Sequence, residues 1–275
     1  MLSLFRYELF SRWRAVLGWG IGLAAFASMY VGVYPEMEEE LAGLAGLSIY
    51  RALGMDVGSF AGFVASAVIQ IMPLILGVYV IMASTAILGG EEDDGTLELL
   101  VTMPMHRWQV VTAKAAALGV VLLLILVVLG AGTAFTLSLV ARVADVNVTP
   151  MQLFTGLLSA WPMALAFSML GLLLGATLPN RRMAVTVMSF IYIGSYVIQS
   201  ITRIVDSLDF LAPLSLFTYL NTSASIFEQG VNPADVAVLL VVAAVFFGLT
   251  LLSFQRRNLT VGQWSWQRGR VPAGE

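Results

Sequence analysis

Apolar residues along the chain gather into six long runs, Ala15–Tyr34, Phe63–Leu88, Ala113–Ala141, Leu153–Leu178, Ala184–Ile201 and Val236–Phe254, with polar stretches between them. A helix needs about 20 mostly apolar residues to cross the hydrocarbon core of a bilayer, and these runs have that length. The third and fourth are long enough to tilt or to continue beyond the lipid. The pattern predicts an all-α membrane protein whose six transmembrane helices form a single transmembrane domain over residues 1–275. Ala25-Phe26-Ala27 resembles a small-x-small cleavage site, but the apolar run continues past it to Val33 and Glu8 interrupts the basic segment before it. A retained first span is expected rather than a cleaved signal.

Residues Met1–Arg14 space Leu2, Phe5, Leu9 and Trp13 by threes and fours, while Arg6, Arg12 and Arg14 stay polar. This predicts an amphipathic interfacial helix over residues 1–14, with rings at the acyl boundary and arginines near anionic headgroups. Two larger segments, 35–62 and 202–232, fall on the opposite side. The first opens on Glu36, Glu38, Glu39 and Glu40, followed by the apolar stripe Leu41, Leu44, Leu47, Tyr50 and Leu53. Acids at a helix start complement its dipole; gathering of cations is the other reading. The second holds Phe210-Leu211-Ala212-Pro213-Leu214 and Phe217-Thr218-Tyr219-Leu220, too apolar for a free loop and too short to span. Short re-entrant or interfacial helices tucked into protein are expected there, before the last span. After that span, Arg256, Arg257, Arg268 and Arg270 accompany Trp264 and Trp266, which suits a membrane interface.

Composition narrows the classes. The chain is 59% hydrophobic and 11% charged, whereas a soluble domain carries about 25% charged residues, so its surface needs lipid. Arg6, Arg12, Arg14, Arg107, Lys114, Arg181, Arg182, Arg256, Arg257, Arg268 and Arg270 fall on one side of a six-span chain. Of the 14 basic residues only Arg51, Arg142 and Arg203 fall on the other. By the positive-inside rule both termini are cytoplasmic, in an inner (cytoplasmic) membrane crossed several times. Cys is 0 and His 1, so disulfides, thiolate metal sites and imidazole clusters are not expected. A net charge of −3 offers no basic field to nucleic acid. No glycine-rich loop precedes the single lysine, Lys114, so the chain has no P-loop. No catalytic residue is assigned, and the chain is not expected to be an enzyme.

The spans carry no Asp, Glu, Lys or Arg away from their ends, which argues against an ion-coupled carrier or an intramembrane enzyme. Two polar seams stand out. Span five sets Ser189, Tyr192, Tyr196, Gln199 and Arg203 along one face, and span two sets Ser66, Gln70, Pro73, Gly77 and Ser84 along another, with Pro73 a source of a kink. They read either as walls of a substrate pathway or as helix–helix packing through small and hydrogen-bonding residues. Gly18-x-x-x-Gly22 and Gly171-x-x-x-Gly175 read as close-packing faces.

The strongest local signal is the segment 89–112 between spans two and three, running from Gly89 through Glu91-Glu92-Asp93-Asp94-Gly95-Thr96-Leu97-Glu98-Leu99-Leu100 to Pro104, His106, Arg107 and Thr112. An acidic patch precedes a short amphipathic helix that Thr96 can cap, Leu97, Leu100 and Val101 line and Pro104 stops. Such a helix is able to dock into a groove on a soluble partner; the residues taken alone favour a solvated loop. The stretch resembles the cytoplasmic loop of ABC transporter permeases of the type-2 class, exporters of drugs, polysaccharides and sodium. An acidic pair (Glu91, Glu92), Gly95-Thr96-Leu97-Glu98, Leu100, Pro104, Arg107 and a downstream Lys114 occupy that pattern, and Phe254-x-Arg256-Arg257-Asn258-Leu259 resembles the family's ending, with Asn258 in place of the usual Asp.

The resemblance implies a permease that works with a second permease and two ATP-binding cassette subunits, which hold the ATP and Mg. It implies that the segment 89–112 is the coupling helix facing the ATPase, that Arg181 and Arg182 lie on the same side, and that spans two and five flank a central pathway. The expected function is then the membrane-spanning subunit of an ATP-driven exporter of a hydrophobic or amphipathic substrate. Coupling residues would be Glu91, Glu92, Gly95, Thr96, Leu97, Glu98, Leu100, Pro104, Arg107, Arg181 and Arg182. Ser66, Gln70, Pro73, Gly77, Ser189, Tyr192, Tyr196 and Gln199 would line the pathway. A half-size chain without internal repeats favours a homodimer over a paralogous pair. The alternatives are sodium efflux on the same architecture, and a secondary carrier or membrane anchor working without an ATPase.

Overall fold

A computed structural model describes residues 1–44, 59–93, 106–144 and 146–256. Six of its helices are long and apolar enough to cross a membrane, and no strand occurs among the described residues. A short helix, α1 (Leu2–Ser11), leads into span one (Trp13–Leu44). Span two joins Phe60–Val64, a π turn at Ala65–Ile69 and Ile71–Asp93; span three is Arg107–Val140; span five is Arg181–Thr202 and span six Pro233–Arg256. Span four is broken into Pro150–Leu158 and Trp161–Thr177. Its break falls where Pro162 has no N–H to return to the preceding turn, and Trp161 Nε1 donates to Gly119 O of span three across the gap, at 2.9 Å.

Spans one and three run side by side in parallel and hold one register: Gly20 faces Val128, Ala24 faces Gly132, and Thr136 Oγ1 donates to Ser28 Oγ at 2.9 Å. The contacts recur every fourth residue, the spacing that keeps side chains on one helical face. Spans two and four are matched in the same way, with Ile69 against Gly156 and Ser84 against Gly171. Spans two, three and four are heavily enclosed, and spans five and six least so. Six crossings return the chain to the end on which α1 lies, called here the terminal end. The turns after spans one, three and five lie at the far end.

Several expectations change. Span one does not stop at Tyr34: it continues through Pro35 to Leu44, because Tyr34 is buried with its ring 4.8 Å from that of Phe60 and 5.4 Å from that of Phe63. Glu36, Glu38, Glu39 and Glu40 therefore ride the last part of a helix rather than a helix start, and dipole complementarity does not explain them. The stripe at Leu47, Tyr50 and Leu53 lies outside the described residues. Gly18 and Gly22 face open space; Gly20, two residues away and so on the opposite side of the helix, makes the close approach. Gly171 does pack closely, against Ser84.

The amphipathic character of α1 is also rotated. Glu8 is its buried residue, with Leu4, Phe5 and Leu9 half-buried beside it, while Leu2, Tyr7, Phe10 and Trp13 are exposed among Arg6 and Arg14. Phe5 and Leu9 thus belong to the protein-facing side, because Glu8 is drawn inward by a partner in span three. In the segment before span six, two 3-10 helices (Asp206–Leu214 and Leu216–Tyr219) and a short helix (Ser225–Gln229) form. Phe217, Leu220, Ile226 and Phe227 are buried as expected of a tucked segment, whereas Phe210 and Leu214 point outward.

Candidate pathway and coupling sites

The two seams meet at one point. Tyr192 of span five, 2% exposed, donates its hydroxyl to Pro73 O of span two at 2.7 Å. Its ring lies over Gly77, where any Cβ would collide with it. The backbone makes this place. The π turn closes with Gln70 N on Ala65 O at 3.0 Å, and Pro73 then removes a donor from the ladder, so span two is irregular here. Gly77 supplies the room one turn further on. Pro73, Gly77 and Tyr192 are therefore in direct contact, and spans two and five pack together at this level.

The other seam residues do not join a common cavity. Ser66 Oγ donates to Phe63 O at 3.0 Å, Ser189 Oγ to Val185 O at 2.8 Å and Ser84 Oγ to Val80 O at 2.6 Å, each within its own helix. Gln70 is half-buried. Tyr196 packs its ring 5.5 Å from that of Phe217. Gln199, 2% exposed, donates Nε2 to Phe217 O at 3.3 Å, and its Oε1 is buried without a hydrogen-bond partner. An aromatic knot that the sequence did not reveal forms around Phe217, with Phe167 and Tyr192 at 5.7 and 5.2 Å and Phe167 to Tyr192 at 4.4 Å. Ser195 and Ser215 lock the same hairpin: Ser215 Oγ donates to Ser195 O at 2.7 Å and Leu216 N to Ser195 Oγ at 3.0 Å. Arg203 donates to Thr222, and partial burial lowers its guanidinium from the ordinary value while Tyr196 opposes that shift. These residues pin the far-end hairpin onto span five.

Two cavities open between the spans, one beside span five and one among spans three, four and six. One of about 380 Å³ opens among Phe167, Phe190, Ile191, Ser195, Leu216 and Phe246; the other, about 310 Å³, lies among Thr112, Ala116, Leu165, Met169, Leu240 and Phe247. Both are lined almost wholly by apolar side chains.

At the terminal end, Glu91 and Glu92 fall in the last turn of span two and Arg107 opens span three. Gly95, Thr96, Leu97, Glu98, Leu100 and Pro104 lie outside the described residues, as do 257–275. Arg181 and Arg182 form the first turn of span five, with Asn180 Oδ1 capping it by accepting from Met183 N at 2.8 Å. Between these elements lies a contact that was not anticipated. Lys114 Nζ donates to Glu8 Oε1 at 2.5 Å, both residues being buried, and Arg12 Nη2 meets Glu8 Oε2 at 3.5 Å. A lone acid within a basic N-terminal segment and the chain's single lysine were the available signals, but nothing in their spacing pairs residues so far apart.

Among the described residues no group of His, Cys, Asp and Glu is arranged to hold a metal. No curated protein matches the chain significantly. A family profile described as ABC-2 family transporter protein matches residues 2–259, nearly the whole length. With six apolar spans, uncharged interiors and a match of that extent, the chain belongs to the ABC-2 transporter family of membrane permeases.

Proposed function

We propose that the chain is the membrane-spanning subunit of an ATP-driven exporter. The observation that carries this, beyond family membership, is where charge is buried. Among the described residues the buried charged side chains are Glu8 and Lys114, paired with each other at the terminal end. A carrier driven by its own ion gradient needs ionisable groups along the pathway, so the energy is supplied by separate ATPase subunits, which bind ATP and Mg. The terminal end is cytoplasmic and the membrane is an inner membrane. The segment 89–112 is the coupling element, with Glu98, Leu100 and Arg107 transmitting the motion of two ATPase subunits, and Arg181 and Arg182 lying on the same side. A second copy of the chain completes the transporter against the open apolar faces of its outer spans, where Phe190 is 76% and Ile193 56% exposed.

The substrate is amphipathic or hydrophobic, and passes along spans two and five. In the state described, Tyr192 on Pro73 and Gly77 closes that route; separation of span five from span two at this contact opens it. Ser66, Gln70, Ser189, Tyr196 and Gln199 then offer hydroxyl, amide and ring contacts.

The test is Glu98→Arg in the permease reconstituted with its ATPase. Stimulated ATP hydrolysis and ATP-dependent movement of a fluorescent phospholipid analogue should both fall about tenfold or more, while membrane insertion is unchanged. Undiminished stimulation would remove the coupling assignment. Radiolabelled sodium moved in place of the lipid analogue would reassign the substrate.

A further inference from the structure

Burying an ion pair costs desolvation that its Coulomb attraction often fails to repay, so a buried pair in a bilayer protein with little charge calls for a reason other than stability. The geometry supplies one. The Glu8 carboxylate is divided between two cations, with Oε1 on Lys114 and Oε2 on Arg12. Lys114 belongs to span three, two turns after its start at Arg107. Arg12 is the joint between α1 and span one. Spans two and three flank the proposed coupling segment in the chain. Glu8 therefore ties α1 directly to span three through Lys114, and to the start of span one through Arg12. The half-buried Leu9 packs α1 onto the core, but apolar contacts are non-directional and set no single orientation. A shared carboxylate sets one orientation.

We propose that Glu8 is a positioning residue of the coupling apparatus, clamping α1 to span three through Lys114, with Arg12 holding the joint to span one, so that a displacement of span three at its terminal end carries α1 with it. The clamp rests on the coupling reading given above.

The chain has no cysteine, so nitroxides at Ser3→Cys on α1 and Trp108→Cys at the start of span three, both exposed sites, report their separation cleanly. The distance is measured in nanodiscs on the permease alone, and on its ATPase complex with and without trapped ATP. The wild-type background should give one narrow distance in every state, and Lys114→Arg should keep it. Glu8→Gln should broaden it and lower stimulated ATP hydrolysis about tenfold, with the ATPase subunit still copurifying. The pair Glu8→Met with Lys114→Met buries no charge and so controls for folding. It should assemble fully, yet show the broad distribution and the lost stimulation. A Met pair that couples like wild type would make the contact merely structural and overturn the clamp, as would a wild-type distance that changes when ATP is trapped. If the wild-type chain stimulates no ATPase at all, the coupling reading fails, and the distances on the permease alone still decide whether Glu8 fixes α1.

Discussion

Gly77 and Tyr192 show how one small residue sets a contact between two membrane helices. The Tyr192 ring occupies the volume a Cβ at Gly77 would need, and its hydroxyl relieves itself on Pro73 O at 2.7 Å. In lipid an unpaired hydroxyl has no water to turn to, so this bond and the fit of the ring act together. Gly77→Ala should therefore cost about 1–3 kcal/mol by overpacking, read as a lower midpoint in thermal unfolding of the detergent-solubilised chain. Tyr192→Phe keeps the ring and removes only the bond, so its cost should be nearer 1 kcal/mol. If the Tyr192 contact closes the route, Tyr192→Phe also raises ATP-independent leak of the lipid analogue, a change that a purely structural tyrosine would not produce.

At the scale of elements, the spacing of small residues decided which faces meet only once the partner helix was known. Span one carries two frames of small residues, Gly18 with Gly22, and Gly20 with Ala24 and Ser28. They lie on opposite sides of one helix, and span three, with Gly132 and Thr136 at matching positions, receives the second. Gly132→Leu should separate the pair at a cost of about 1–3 kcal/mol, whereas Gly18→Ala, facing open space, should stay within about 0.5 kcal/mol of wild type. Resistance to unfolding in mixed micelles measures both. For α1, a nitroxide at the outward Phe10 should collide more with oxygen than with a polar nickel reagent, as at an acyl boundary. The reverse ratio would place this helix in water.

For the whole molecule, charge and topology make a joint statement. Glu8, Lys114, Arg107, Arg181 and Arg182 gather at the terminal end, and Arg142 and Arg203 lie at the far end. If the terminal end faces the cytoplasm, a cysteine placed at Ser3 reacts with an impermeant maleimide only after cells are opened, whereas one placed at Asn232, in the exposed turn before span six, reacts in intact cells. Labelling of both from outside would break the six-span topology. The bundle is enclosed on spans two, three and four and bare on five and six, so a single copy leaves apolar helix faces that only lipid or another copy can cover.

The number of spans, their helical nature and the segregation of basic residues were legible in the sequence, because apolar length and charge asymmetry are properties of the chain itself and the bilayer reads them directly. The loop motif was legible in the same way, as a local string. Which face of each span met which neighbour was not. Packing chose Gly20 over Gly18, turned α1 until Glu8 faced inward beside Phe5 and Leu9 and left Leu2 outward, and let Pro35 pass inside a helix once Tyr34 was held by Phe60. Those outcomes depend on residues about a hundred positions apart, Lys114 for Glu8 and Thr136 for Ser28. No periodicity within one helix records its partner's surface, so tertiary contact alone decided them.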